Sequence, residues 1–424
     1  MSPKKQDISI ISVIHPICCG LDVHKKTVAA CMLWTDEHGR DETELKEFGT
    51  LTDDLLSLKE WLLDHECPVV VIESTGVYWH PVHNVLEHSV KVELVNARDI
   101  KNMPGRKTDM SDSKWLACLC RHGLIRSSFI PPKEQRQWRD LTRSRKNYVH
   151  MLGDLKRHAH TLFQKANIKI DSVVSDLFGT TGRNLMKLLC SCESPPGLAQ
   201  VRKCLHGALR AKSDELHRSV QGFFGDHHRT LLRMTLDTID VLEGNITFLD
   251  QQIAQVMKAH DKLLERFQEV HGIKETAASA VLAEAGATLA NFSSAAAFAS
   301  WIGVCPGNNE SAGKRHSGRS RVHCNHLKTL LVEVAWAAIK KKGSYYKDKY
   351  YRIRGKLGPK KAIVAIGHRI AKAIYHIIKY GSRYQELGDN YLVEHNKAAK
   401  LRYIKKQAEL LGHELVPVTN QLRN

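Results

Sequence analysis

The stretch CPVVVIEST, residues 67–75, constrains the fold more than any other part of the chain. Its β-branched residues Val69, Val70, Val71 and Ile72 form a run too short for a core helix, so it reads as a buried strand. Strand and helix signals alternate on either side. Upstream, ICCGLDVHKKTVAACMLW gives an apolar strand, a tight basic turn and a second strand, and LKEFGTL gives a short third strand. TDDLLSLKEWLLDHE is an amphipathic helix with a Thr52 cap. Downstream come the helical TGVYWHPVHNVLEHS, a fifth strand KVELVN and the helix SDSKWLACLCRHG, ended by glycine. Hairpin strands followed by strand–helix units predict an α/β domain with a mixed sheet over residues 17–130, after an N-terminal extension of residues 1–16.

The period changes near residue 135. Trp138, Leu141, Tyr148, Leu152, Leu155, Ala159 and Leu162 keep a 3/4 spacing, with Arg145 filling one place. Ile239, Leu242, Ile246, Leu249, Ile253 and Val256 repeat it. Such spacing predicts long helices pairing as a coiled coil across 131–265, and two core helices of an ordinary bundle fit it equally well. Residues 171–228, with an SPPG break, read as a helical insertion between them. A mostly helical last domain is expected over 266–385 and a polar tail over 386–424. Within that domain FQEVHGIKETAASAVLAEAG outlines a helix–hairpin–helix, although an ordinary αα-hairpin has the same pattern.

Composition narrows the partners. The 424 residues carry 63 Lys and Arg against 45 Asp and Glu, a formal charge of +18, which favours a polyanion such as nucleic acid. No run of about 18 apolar residues suggests a membrane span, and the N-terminus lacks the long apolar region of a signal peptide. The 11 cysteines show no paired CxxC framework and read as reduced thiols of a cytoplasmic protein. His323, Cys324 and His326 match no standard zinc spacing.

Against this basic background the acids stand out. Asp22 closes the first strand, Glu73 closes the buried strand, and Asp109 and Asp112 open a helix. Helix capping accounts for either of the last two alone. Strand ends and helix starts meet at one edge of an α/β sheet, where four carboxylates would repel one another without a divalent cation. Hard oxygen ligands suit Mg²⁺, whose remaining shell takes water and phosphate oxygens. The order strand–Asp, strand–Glu, helix–DxxD is the layout of ribonuclease-H-like nucleases.

A second anomaly is PGNNESAGKRHSGRSR, a Gly-rich loop without hydrophobic period. Ser311, Ser317 and Ser320 lie there among Lys314, Arg315, Arg319 and Arg321. The loop fits a phosphate-contacting element, or a serine nucleophile whose transition state the cations would stabilise. Further on, KKKGSYYKDKYYRIRGK interleaves tyrosines with Lys347, Lys349, Arg352 and Arg354, a combination suited to single strands or structured RNA. Tyr375 and Tyr380, in the following apolar helix, read as packing residues.

Together GLDVHKK, VVIESTGVYWHPV, KTDMSD, GVCPGNNESAGKRHSG and LKTLLVEVAWAA resemble the DEDD transposases of bacterial insertion sequences, RNA-guided serine recombinases. The resemblance spans roughly residues 17–170 and 230–385. It implies a RuvC-like first domain in which Asp22, Glu73, Asp109 and Asp112 bind Mg²⁺. It implies that Ser311 attacks DNA to form a covalent phosphoserine, with Ser317 the other candidate in the same loop. It also implies a homo-oligomer, dimer or tetramer, in which the acids of one subunit face the serine of another. Finally, it implies a structured guide RNA pairing with donor and target DNA, which fits a chain showing no helix-turn-helix or zinc finger. The segment 171–228 is longer than that pattern leads one to expect. Two rivals remain: a junction-resolving nuclease using metal-activated water, and a non-catalytic nucleic-acid chaperone with no use for the four acids.

Overall fold

The computed structural model describes residues 13–74, 76–97, 100, 103, 111–307, 309–311, 314–317 and 325–416. It divides into two units, residues 1–130 and 131–424.

The first unit is a mixed six-stranded sheet. β1 (Ile17–Val23), β2 (Thr27–Thr35) and β3 (Asp41–Gly49) form an antiparallel meander. β4 (Val69–Glu73) and β5 (Lys91–Val95) then add on the other side of β1, parallel to it. A two-residue β6 (Ser127–Ser128) closes that edge, giving the order β3-β2-β1-β4-β5-β6. The third strand is longer than LKEFGTL suggested. Its sequence DETELKEFG is mostly exposed and charged, as suits the outer edge of a sheet.

Helices cover both faces, which explains why β4 is apolar on both. On one face α1 (Thr52–Asp64) and α2 (Trp79–Leu86) bury Leu55, Leu58, Trp61, Leu62, Val82 and Leu86 against Leu21, Met32, Val70 and Ile72. On the other, α3 (Asp112–Arg121) packs Trp115, Leu116 and Leu119 on Cys18, Cys31, Val69 and Val71. Thr52 is not the cap of α1. Leu51 takes that position, and the Asp54 carboxylate accepts its backbone N–H at 3.2 Å.

The second unit is built on two long helices, α4 (Lys133–Lys165) and, after the intervening short helices, α8 (Asp226–Met257). Arg145 pairs with Asp250, and Lys156 lies 3.4 Å from Glu243, so the two run antiparallel. Their seam is apolar at its ends and half-buried in the middle, where those ion pairs sit. Met257 rather than Val256 fills its last core position. The segment between them is helical, with α5 (Thr180–Ser191), α6 (Leu198–Cys204) and α7 (Ser213–Ser219). These close a core of their own around Phe163, Ile168, Leu185, Met186 and Leu216, at the far end of the pair.

A larger core gathers at the near end around Trp138, Phe267, Phe298 and Tyr375. It is closed by α9 (Asp261–Gln268), α10 (Glu275–Ala285), α11 (Ala295–Ile302), α12 (Asn325–Ala338), α13 (Tyr345–Leu357) and α14 (Pro359–Tyr380). A final helix, α15 (Tyr391–Leu410), follows. The turn between α9 and α10 requires glycine: Gly272 has φ +90°, and a Cβ there would sit 2.4 Å from the Val334 carbonyl oxygen on α12. Among the described residues no helix is long and apolar enough to cross a membrane.

Candidate functional site

Three of the four predicted acids meet at one edge of the first unit. The parallel register pairs Leu21 with Ile72, so Asp22 and Glu73 each stand one residue further along neighbouring strands. Side chains alternate along a strand, which puts both on the face of Cys18, Gly20, Val69 and Val71, the face covered by α3.

Gly20 brings the third acid in. A Cβ at this position would lie 2.1 Å from the Ser113 carbonyl oxygen, 2.5 Å from the Ala117 nitrogen and 2.9 Å from the Leu116 Cβ. Only glycine lets the first turn of α3 rest on β1, and Asp112 is the first residue of that turn. The other end of the helix is anchored by the buried Arg121, whose guanidinium bonds Thr35, Asp41 and, at 3.4 Å, the Pro16 carbonyl. Asp112 is not the cap itself, since Ser111 takes that place and its Oγ accepts from the Lys114 N–H at 3.3 Å, but it is the acid of the first turn, where the helix dipole favours one.

Electrostatics register the convergence. Burial raises the Asp22 carboxyl above its ordinary range, and the neighbouring Asp112 and Glu73 push it the same way. His24 opposes them, with its Nε2 3.2 Å from Asp22 Oδ2. This exposed histidine is a partner the sequence reading missed, though its place two residues beyond Asp22 in GLDVHKK was the available signal. Asp109 lies outside the described residues. Among the described residues no three Asp, Glu, His or Cys side chains close into a metal-binding group. The three acids offer carboxylate oxygens, the donor type a hard divalent cation takes.

The predicted serine loop is instead largely a hairpin. β7 (Asn309–Ser311) and β8 (Lys314–Ser317) pair antiparallel, with Ser311 opposite Lys314 and Asn309 opposite Ser317, and an irregularity between Asn309 and Glu310. The backbone therefore sets Ser311 at the tip and Ser317 at the base. Strands of three and four residues are too short to show an apolar alternation. Lys314 and Arg315 lie on β8, while Arg319, Ser320 and Arg321 fall outside the described residues.

The basic segment divides. Tyr345, Tyr346 and Tyr350 are buried in the core at 8%, 3% and 3% exposure, whereas Tyr351 is 55% exposed with the Arg354 guanidinium 6.0 Å from its ring centre. Of these four tyrosines, Tyr351 alone is open to meet a base in the manner the sequence suggested. Lys347 and Lys349 are half-buried, Arg354 is exposed, and Arg352 Nε bonds Asp348 Oδ2 at 2.7 Å. In α14 Tyr375 is buried as expected, but Tyr380 is 65% exposed because it ends the helix beyond the core. Ten cysteines are free thiols, six of them buried, and no disulfide occurs among the described residues.

A mixed sheet with acids at one edge, followed by a mostly helical unit, is consistent with a ribonuclease-H-like first domain. Residues 19–168 match the IS110 DEDD family model described as Transposase, and residues 264–352 match the one described as Transposase IS116/IS110/IS902 family. A "Probable family 20 transposase" of Pseudomonas aeruginosa strain PAO1 is 33% identical over 111 residues, 26% of this chain and 32% of that protein. The match thus spans about a third of the relative's length. Two separate segments of the chain are thus similar to IS110-family transposase domains.

Proposed function

We propose that the chain is a DNA transposase of an insertion sequence that cuts and rejoins DNA through a covalent bond to Ser311. The observation that carries this reading is the convergence of Asp22, Glu73 and Asp112 at one sheet edge in a chain whose other transposase segment contains the serine hairpin. Asp22, Glu73, Asp109 and Asp112 would hold Mg²⁺ in a RuvC-like domain. When bound, that ion neutralises phosphate charge and lowers the pKa of an attacking or leaving oxygen.

The chain's own residues account for the rest. The Ser311 hydroxyl gives up its proton, and its Oγ forms a bond to the DNA phosphorus as one sugar oxygen–phosphorus bond breaks. The departing sugar oxygen takes a proton, while Lys314 and Arg315, beside Ser311 on the hairpin, offset the charge on the non-bridging oxygens. Attack on the phosphoserine by the hydroxyl of another strand reverses these steps and frees Ser311. One phosphodiester is exchanged for another at each step, so no external energy source is required.

A homo-oligomer would supply the acids of one subunit to the serine of another. The exposed row Met234, Val241 and Phe248 on α8, at heptad spacing, supports association with a second copy. A structured RNA is the proposed guide, and the +18 charge supports a polyanionic partner. A junction-resolving nuclease would use the acid edge but leaves the second transposase segment unexplained. Strand exchange between element-end and target DNA tests the reading, with purified chain, guide RNA and Mg²⁺. Joined products that disappear in Asp112→Asn are expected. Hydrolytic nicking without joining by the wild-type chain would favour the nuclease instead.

A further inference from the structure

We propose that the groove between α13, α14 and the start of α15 holds an unpaired nucleotide of a single-stranded nucleic acid, RNA or DNA. The cavity measures about 540 Å³ and lies wholly within the second unit. Lys349 of α13, Arg369 and Lys372 of α14 and Arg383 of the following connection line it, together with His376 and His395. No carboxylate lines it among the described residues. Arg383 is 84% exposed and its nearest acid, Glu269, stands 4.0 Å away, so most of its charge is available to a ligand. Such a wall selects an anion.

The remaining walls are aromatic. The half-buried rings of Tyr384 and Tyr391 line the groove, backed by the buried Tyr346, stacked on Tyr384 at 20° with ring centres 6.1 Å apart, and Tyr345, which meets Tyr391 edge-on at 5.8 Å. The rings are held in place. Tyr384 donates its hydroxyl to Glu386 at 2.8 Å and its backbone N–H to Glu269 at 3.0 Å. Glu386 further accepts the backbone N–H groups of Tyr345 at 2.7 Å and Gly388 at 2.9 Å, and lies 3.0 Å from His271 Nε2. The acid beside the tyrosines is thus occupied in fixing the 381–391 connection.

Cations around fixed aromatic rings fit a ligand with a phosphate and a flat base, and a base must be unpaired to enter a groove and stack. Duplex DNA presents phosphates but no free base face. The surface is distinct from the KKKGSYYKDKYYRIRGK stretch, three of whose tyrosines are buried, and it shares only Lys349 and the edges of Tyr345 and Tyr346 with it. Binding here does not depend on the recombination reading.

The test uses the full chain and fluorescence anisotropy with labelled 12-nucleotide single-stranded RNA, single-stranded DNA and a duplex of the same sequence. Tyr391→Leu keeps apolar bulk and should weaken binding of at least one single strand about tenfold, with duplex binding changed less than about twofold. The triple variant Arg369→Gln, Lys372→Gln, Arg383→Gln, all at accessible positions, should weaken the same strand and flatten its salt dependence. Photocrosslinking of a 4-thiouridine or 4-thiothymidine strand should map to Tyr384–Tyr391. A preference for RNA or for DNA identifies which source supplies the strand. The proposal is overturned by equal losses for duplex and single strands, by unchanged binding in both variants, by crosslinks confined elsewhere, or by polyglutamate competing as well as the single strand.

Discussion

The acid edge of the α/β unit and the serine hairpin of the helical unit solve different positioning problems. Asp22 and Glu73 stand on adjacent strands of a sheet covered on both faces, and Gly20 seats the start of α3 against them. Each acid is fixed by a core that folding would build in any case. Ser311 ends a three-residue strand whose strand partner among the described residues is β8 alone. A two-stranded ribbon is marginal by itself, and this one falls between α11 and α12 along the chain. The proposed metal ligands would have to be held to within a fraction of an ångström, which favours strands and a glycine contact. The proposed nucleophile stands instead at the backbone tip of a short ribbon.

The largest effects should come from the acid edge. Replacing Asp22, Glu73 or Asp112 with its amide should lower strand exchange about a thousandfold or more, since metal stabilisation of the transition state is worth several kcal/mol. DNA binding should survive. Full activity in any one of these amides would break the contrast between a fixed acid edge and a projecting nucleophile.

Gly20→Ala sharpens the same comparison without touching a charge. The added Cβ must displace Ser113 and Ala117, which should cost about 1–3 kcal/mol of stability. Moving Asp112 by about an ångström should lower strand exchange about a hundredfold. An unchanged melting temperature with normal activity would show that α3 is not seated by this contact.

In the helical unit the corresponding lock is Glu284, whose side chain is 4% exposed and whose oxygens accept from Arg143 Nε at 2.7 Å and Nη2 at 2.8 Å. It ties α10 to α4, and Arg139 adds a bond to the Glu284 carbonyl. Glu284→Gln removes the counter-charge of these two partly buried cations and should destabilise the second unit by about 3 kcal/mol, read by denaturant unfolding. The smallest effect belongs to the surface. Changing Lys347, Lys349, Arg352 and Arg354 together to Gln should weaken nucleic-acid binding several-fold and reduce its salt slope by about 0.7–0.9 for each phosphate no longer neutralised. Arg352 already serves Asp348, so its share should be the least.

Where hydrophobic period and topology carried the information, the sequence was readable. The buried strand Val69–Glu73, the preceding hairpin and the helix after KTDMSD all appear, and the placement of Asp22 and Glu73 follows from them. The contribution of Gly20 was not legible, because a glycine inside a strand signals some close approach without saying to what. His24 was hidden for a similar reason, as its contact depends on the turn geometry between β1 and β2. The hairpin at Ser311 leaves no period to detect. The tyrosines of 345–351 misled because interleaved cations looked like one exposed surface, whereas α13 turns Tyr346 and Tyr350 into the core and leaves Tyr351 outside.

The central claim, that Ser311 is the covalent link to DNA, is tested most directly by trapping the reaction on element-end DNA under denaturing conditions and sequencing the nucleotide-bearing peptide. A phosphodiester on Ser311, absent in Ser311→Ala and retained in Ser317→Ala, is the predicted result. Recombinant products with no adduct at any stage, or an adduct that persists in Ser311→Ala, would contradict it.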